Sequence, residues 1–177
     1  MGGNNLRNVY SLFADIMDYP ARDLAGRVKE CVTQLSPINR EAAATLNRFS
    51  KYVERTPLSL IEERYTATFD LQAQCYPYAG YHLFGESYRR GEFMVKLKER
   101  YTATGFLPGG ELPDHVAIIL RFLSTLKDGD ESRVLIDECL KPTLSGMIRS
   151  LGGNGNPYGE VVHALLLTLQ TPLKDIT

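Results

Sequence analysis

Residues 6–20 read Leu6-Arg7-Asn8-Val9-Tyr10-Ser11-Leu12-Phe13-Ala14-Asp15-Ile16-Met17-Asp18-Tyr19-Pro20. Leu6, Val9, Tyr10, Phe13, Ile16 and Met17 recur at intervals of three and four, the spacing that places side chains on one face of an α-helix. The stripe stops before Pro20, because the residue ahead of a proline is pushed out of the helical region. The same period continues downstream. Leu24, Val28, Cys31, Val32 and Leu35 form a second stripe ending at Ser36-Pro37, and Ala43, Leu46, Phe49 and Val53 a third ending at Thr56-Pro57. Leu58, Ile61, Tyr65, Thr68 and Phe69 make a fourth, with Glu62, Glu63 and Arg64 on the opposite face. No stretch alternates apolar and polar residues between turn signals, so an all-α fold is expected.

The middle of the chain is less regular. Cys75, Tyr76, Pro77, Tyr78, Tyr81, His82, Leu83 and Phe84 are apolar or aromatic on all sides, as in a short buried helix with Pro77 in its first turn and Gly85 at its end. Arg90 to Thr104 predicts an amphipathic helix through Met94, Leu97, the stem of Lys98 and Tyr101, with Gly105 as the residue that closes it. Pro113 suits the first position of the next helix, whose stripe is Val116, Ile119, Leu120, Leu123 and Leu126. Asp128-Gly129-Asp130 breaks it. Glu131 to Leu151 is periodic too, with Pro142 expected to kink or split it. After the loop from Gly152 to Gly155, Val161, Val162, Leu165, Leu166 and Leu169 mark a last helix. The expectation is a single-domain bundle of about eight or nine helices over residues 1–177.

Composition narrows the classes of function. A chain of 177 residues with 44% hydrophobic and 23% charged residues is an ordinary globular domain with one core. Twenty Lys and Arg balance 21 Asp and Glu for a formal charge of -1, which offers no basic excess to a nucleic-acid backbone. Cys31, Cys75 and Cys139 are scattered and odd in number, which suits reduced thiols in a cytoplasmic protein better than a disulfide framework or metal site. Uninterrupted apolar runs such as Ala164 to Leu167 are far below the roughly 18 residues of a membrane span, and no secretory leader is recognisable. Gly2 is followed by Leu6 where N-myristoylation wants Ser or Thr.

Chemistry-bearing patterns are sparse. None of His82, His115 and His163 has a second histidine one turn away, and Glu160-x-x-His163 is a single copy of a motif that di-iron bundles need in pairs. No phosphate-binding glycine loop or nucleophile elbow is present. Cys31 and Cys139 lie on apolar faces, where burial makes thiols inert. No enzymatic activity, metal or cofactor is therefore expected. Two polar segments stand out: Tyr81 to Gly91, and Gly110-Glu111-Leu112-Pro113-Asp114-His115. The plain reading makes Glu111 and Asp114 carboxylates at a helix start, Arg89 and Arg90 surface partners of Glu86 and Glu92, and Gly85 and Gly91 helix punctuation. Whether the two segments meet in space is left open.

Several segments together resemble a known family: Tyr10 to Pro20, Tyr65-Thr-Ala-Thr-Phe69-Asp70, Tyr81-His-Leu-Phe-Gly-Glu-Ser-Tyr-Arg-Arg-Gly91, Lys96-Leu-Lys-Glu-Arg-Tyr101 with Gly105-Phe106, and Glu111-Leu-Pro-Asp-His115 running into Leu120-Arg-Phe-Leu123. Over roughly residues 8 to 150 the order and spacing resemble the nitrate reductase molybdenum cofactor assembly chaperones, the NarJ branch of the NarJ, TorD and DmsD family of redox-enzyme maturation proteins. Members often carry a longer charged tail, and this sequence ends at Thr177.

The resemblance implies a cytoplasmic helical chaperone. Its partner would be the catalytic subunit of a molybdenum-containing respiratory reductase, held through the N-terminal leader or its remnant while the cofactor is inserted. It implies Tyr65, Phe69, Tyr81 and Phe84 as groove or supporting residues, Glu86, Glu111 and Asp114 as acidic contacts, His115 as a neighbouring polar group, and Pro113, Arg89 and Arg90 within the same set. A homodimer formed by exchange of helices stays open. Two other classes stay open as well: a nucleotide or molybdopterin carrier using Arg89 and Arg90 on phosphate, and a structural subunit of a membrane reductase.

Overall fold

The computed structural model describes residues 2–172, with side chains from Asn5 onward. The acylation reading at Gly2 and the end of the chain at Thr177 lie outside the described side chains. The helices are α1 (Gly2–Met17), α2 (Leu24–Leu35), α3 (Arg40–Arg55), α4 (Leu58–Phe69), α5 (Ala79–Phe84), α6 (Tyr88–Ala103) and α7 (Val116–Thr125). They are followed by α8 (Asp130–Val134), a π-helical turn (Leu135–Leu140), α9 (Lys141–Leu151) and α10 (Tyr158–Gln170). No strand forms among the described residues; the only extended pairing there is a single antiparallel bridge between Tyr78 and His115.

α1 packs on α2 and α7, α3 on α2 and α10, and α9 on α10 and α5. The stripes predicted for the first four helices are the buried faces, and Phe13, Ile16, Met17, Leu46, Phe49 and Ile119 are fully enclosed. Each such side chain contributes about 1.5–3 kcal/mol by leaving water. Asn39 starts α3 by accepting a hydrogen bond from the Ala42 N–H at 2.9 Å. The same side chain donates to the Leu167 carbonyl at 3.2 Å, so one residue begins a helix and ties it to α10.

Residues 130–151 form one unbroken helical run and are not divided at Pro142, giving nine helices among the described residues. The buried positions Ser132, Ile136, Leu140 and Leu144 recur every four residues, which drifts about 40° per step around an α-helix of 3.6 residues per turn. A wider turn absorbs that drift. Pro142 has no N–H to donate and crowds the carbonyl four residues earlier, that of Glu138. The π turn with its i→i+5 bonds ends just ahead of it, as in the bond from Lys141 N–H to the Ile136 carbonyl. The Thr143 hydroxyl donates to the Cys139 carbonyl at 2.7 Å.

Three local expectations are corrected. Pro77 is not in a helix: it and Tyr78 are extended, and α5 begins at Ala79. Pro113 lies two residues ahead of His115, the N-cap of α7, and not at its first turn. Gly91 sits inside α6 and ends nothing, whereas Gly85 and Gly105 do close their helices with φ of 65° and 72°.

Candidate peptide-binding site

The two polar segments meet. Pro77 and Tyr78 run antiparallel to Asp114 and His115, with the Ala79 N–H donating to the Asp114 carbonyl at 2.8 Å and the Val116 N–H to the Pro77 carbonyl at 2.9 Å. The Asp114 side chain continues this pairing. It accepts from the Gly80 N–H at 3.1 Å and from Arg90 Nε at 3.0 Å and Nη2 at 3.4 Å. Asp114 thus satisfies the exposed N–H groups at the start of α5 and not those of its own neighbouring helix. Gly80 is required by the approach: a Cβ there would stand 2.7 Å from both Asp114 Oδ2 and Arg90 Cγ. Arg90 also lies over the Tyr78 ring, 5.2 Å from its centroid.

His115 caps α7, its Nδ1 accepting the Ala117 N–H at 3.1 Å. Nδ1 therefore carries no proton, and the ring is neutral with hydrogen on Nε2. Burial pushes its pKa below the ordinary histidine value, opposed in part by the charges of Glu111, Asp18 and Asp114. Tyr101 donates its hydroxyl to the Pro113 carbonyl at 2.7 Å, and Tyr78 donates to Glu111 at 3.3 Å. Nearby, Arg121 bridges Asp18 at 2.8 Å and Asp15 at 3.3 Å. Burial raises the Asp18 pKa, but the hydrogen bonds from Arg121 and the Tyr19 N–H outweigh it and hold the carboxyl below its usual value.

This joint is internal. Asp114 is 0% and His115 4% exposed, and the Asp114 oxygens are already occupied, so Asp114 is not the rim contact expected of it. Pro113 is buried beside it, Glu111 is exposed at its edge and Arg89 is solvated. Arg90 is held by Asp114 and is not available to a phosphate. Tyr65 and Phe69 are also placed away from any surface. They pack against Tyr158 in the core, at ring distances of 5.6 and 5.1 Å, and Tyr65 donates to the Met17 carbonyl at 3.0 Å.

Two depressions flank the joint. A wide polar cleft of about 730 Å³ is lined by Tyr81, His82, Glu86, Arg149 and Ser150. His82 Nε2 donates to the Tyr76 carbonyl at 2.7 Å, and a Cβ at Gly146 would stand 2.8 Å from its ring. Burial holds the His82 pKa below its ordinary value, with Arg149 adding to the effect. The second is an apolar groove of about 280 Å³. Leu83, Leu97, Phe122 and Cys139 supply its more buried lining, together with Phe84 and Phe93, whose rings are 5.5 Å apart. Arg100 and Glu131, also in the lining, pair at 3.0 Å. Phe84 and Val134 are 38% and 46% exposed at its mouth.

Of the expected site residues, Phe84 alone lines the groove; Tyr81 and Glu86 line the polar cleft. Phe93, Lys96, Leu97, Arg100, Leu135 and Glu138 were not anticipated. A signal was present, since Phe93, Lys96, Leu97 and Arg100 follow the i, i+3, i+4, i+7 rule beside the Met94, Leu97, Tyr101 stripe. Among the described residues no helix is long and apolar enough to cross a membrane, and no group of three or more His, Cys, Asp or Glu could hold a metal ion.

Comparison with known proteins places this architecture. A structure described as a redox enzyme maturation protein from Archaeoglobus fulgidus superposes with a TM-score of 0.64 at 22% identity, covering 90% of this chain and 91% of that one. The fold is thus the all-helical one of that protein. The probable nitrate reductase molybdenum cofactor assembly chaperone NarJ of Bacillus subtilis is 27% identical over 164 residues, 91% of this chain and 88% of that protein. The nitrate reductase-like protein NarX of Mycobacterium tuberculosis is 27% identical over 161 residues, 90% of this chain but 24% of its own length. Residues 33–143 match the family described as nitrate reductase delta subunit, and the chain belongs to that family.

Proposed function

We propose that this protein is an assembly chaperone for a nitrate reductase or related molybdoenzyme, acting in the cytoplasm on the catalytic subunit before its molybdenum cofactor is in place. It would bind the N-terminal segment of that subunit and keep the apoenzyme open. Membership of the nitrate reductase delta subunit family and near full-length similarity to a protein named as such a chaperone support the general role and a maturation factor in preference to a catalyst.

The observation that carries the finer reading is the apolar groove between α5, α6, α7 and the π turn, with Phe84 and Val134 standing exposed at its mouth. A helix presenting apolar anchors at i, i+3, i+4 and i+7 is the ligand such a groove takes. Burying its anchors would offset the ordering cost of an unfolded leader. In this reading the acidic contact moves from Asp114, which is enclosed, to Glu138 at the groove, since Glu131 is already paired with Arg100.

The test is maturation itself. The catalytic subunit is co-expressed with native protein or with Phe84→Glu and Val134→Glu, changes at exposed sites that leave the core untouched. The reading expects both variants to fold, to lose co-purification with the apo catalytic subunit, and to lower cofactor content in the reductase. Full cofactor loading by both variants would overturn it.

A further inference from the structure

The π turn forms one wall of the groove: Leu135, Glu138 and Cys139 face the cavity, with Val134 just ahead of them. A π turn contains one residue more than the α turn it replaces, and that residue swings the following side chains by about 100° relative to the preceding ones. Such turns are less favourable than plain helix and recur at functional sites. Here the π turn keeps a four-residue burial period on one face, but the core does not require the extra residue itself. With the exposed Asp137 removed, the buried residues Ser132, Ile136, Leu140 and Leu144 would stand four, three and four residues apart, an ordinary α-helical period.

What the extra residue changes is the rim. Among the described residues, the side chains of Glu138 on this wall and Lys96 on α6 have no hydrogen-bond or ion-pair partner, while Arg100 and Glu131, also in the lining, neutralise each other. The groove therefore offers one uncommitted anion and one uncommitted cation, carried by two different helical elements around an apolar lining. Charges so placed fix the orientation and register of a ligand more than they add affinity.

We propose that the π turn, held in place by Pro142, is a specificity element: it carries Glu138 to the groove rim to select an apolar helical segment with a basic residue on that side. The assignment rests on the reading that the leader of the catalytic subunit occupies this groove. The ligand lies with its basic edge along the π wall and its acidic edge, or carbonyl end, toward Lys96.

The experiment measures binding of a synthetic peptide copying the first thirty or so residues of the catalytic subunit to the native protein, to the protein lacking Asp137, and to Glu138→Gln. A second peptide has its basic residues replaced by glutamine. The Asp137 deletion is expected to fold, with a melting temperature lowered because Pro142 then sits inside plain α-helix, and to lose about tenfold or more in affinity. Glu138→Gln is expected to lose about threefold for the basic peptide and nothing for its neutral counterpart. A folded deletion protein that binds as tightly as the native one would overturn the proposal while leaving the groove reading intact. If the deletion protein fails to fold, the Glu138 comparison decides, and equal loss for both peptides would overturn it. No binding to the native protein at all would remove the groove reading itself, and this assignment with it.

Discussion

Asp114 and Gly80, thirty-four residues apart, are joined by a hydrogen bond of 3.1 Å from the Gly80 N–H to the Asp114 carboxylate. With Arg90 closing on the same carboxylate, this contact fixes where α5 starts and how it stands against α6 and α7. Those helices frame the apolar groove, so an enclosed polar joint positions an exposed apolar site.

Gly80→Ala should be costly and Gly91→Ala beneficial, although both glycines are helical. At Gly80 the new methyl would meet Asp114 and Arg90 at 2.7 Å, an overpacking expected to cost about 1–3 kcal/mol. At Gly91 nothing lies within 4 Å, and the gain in helix propensity is about 0.4–1 kcal/mol. Urea unfolding of the two variants measures the contrast.

Arg90→Met should destabilise strongly because it strands a carboxylate that is 0% exposed; breaking such a pair costs about 3–5 kcal/mol. The double variant Arg90→Met with Asp114→Asn should recover part of that loss, giving a coupling of about 1–3 kcal/mol in a double-mutant cycle. Simple additivity in urea unfolding would mean that the pair is not a unit.

Acid should loosen the joint before it protonates most carboxylates. His115 and His82 both have pKa values lowered by burial, so the unfolded chain takes up their protons first. Their contribution is complete above the unfolded histidine value of about 6.5 and is lost as pH falls below it. Stability should decline from pH 6.5 downward by at most about 1.4 kcal/mol per pH unit for each histidine. His115→Asn keeps a capping oxygen and should flatten this slope; an unchanged slope in both His115→Asn and His82→Gln would exclude the histidines as its source.

The thiols should be silent in the native state. Burial pushes Cys75 and Cys139 up to about 12 and Cys31 also well above its usual value, leaving almost no thiolate at neutral pH. Iodoacetamide should label none of the three within the time that labels all of them in denaturant. Rapid labelling of Cys139 alone would reveal that the groove opens.

Most of the helices were legible in the sequence because their signals are local. The bounds of α2 and α4 follow from stripes that stop at Ser36-Pro37 and begin after Pro57. Where the sequence reading failed, the deciding partner lay far along the chain. Asp114 looks like a carboxylate for the helix just after it, yet it serves α5, and Pro77 looks like a helix start until Tyr78 pairs with His115. Tyr65 and Phe69 stood out as aromatic candidates, but Tyr158 of α10 encloses them. The groove was hidden for a related reason. Its residues come from four elements, and the π turn that completes it arises from a four-residue burial period ahead of Pro142, which a reading for α-helix alone takes as a break.

The most direct test of the account is a calorimetric titration of the native protein and of Phe84→Glu with the catalytic subunit's N-terminal peptide, using a scrambled peptide as control. The account predicts saturable binding by the native protein with a negative heat-capacity change, the mark of apolar burial, and its loss in Phe84→Glu with the fold retained. Equal binding by Phe84→Glu, or no binding by the native protein at concentrations near a millimolar, would contradict it.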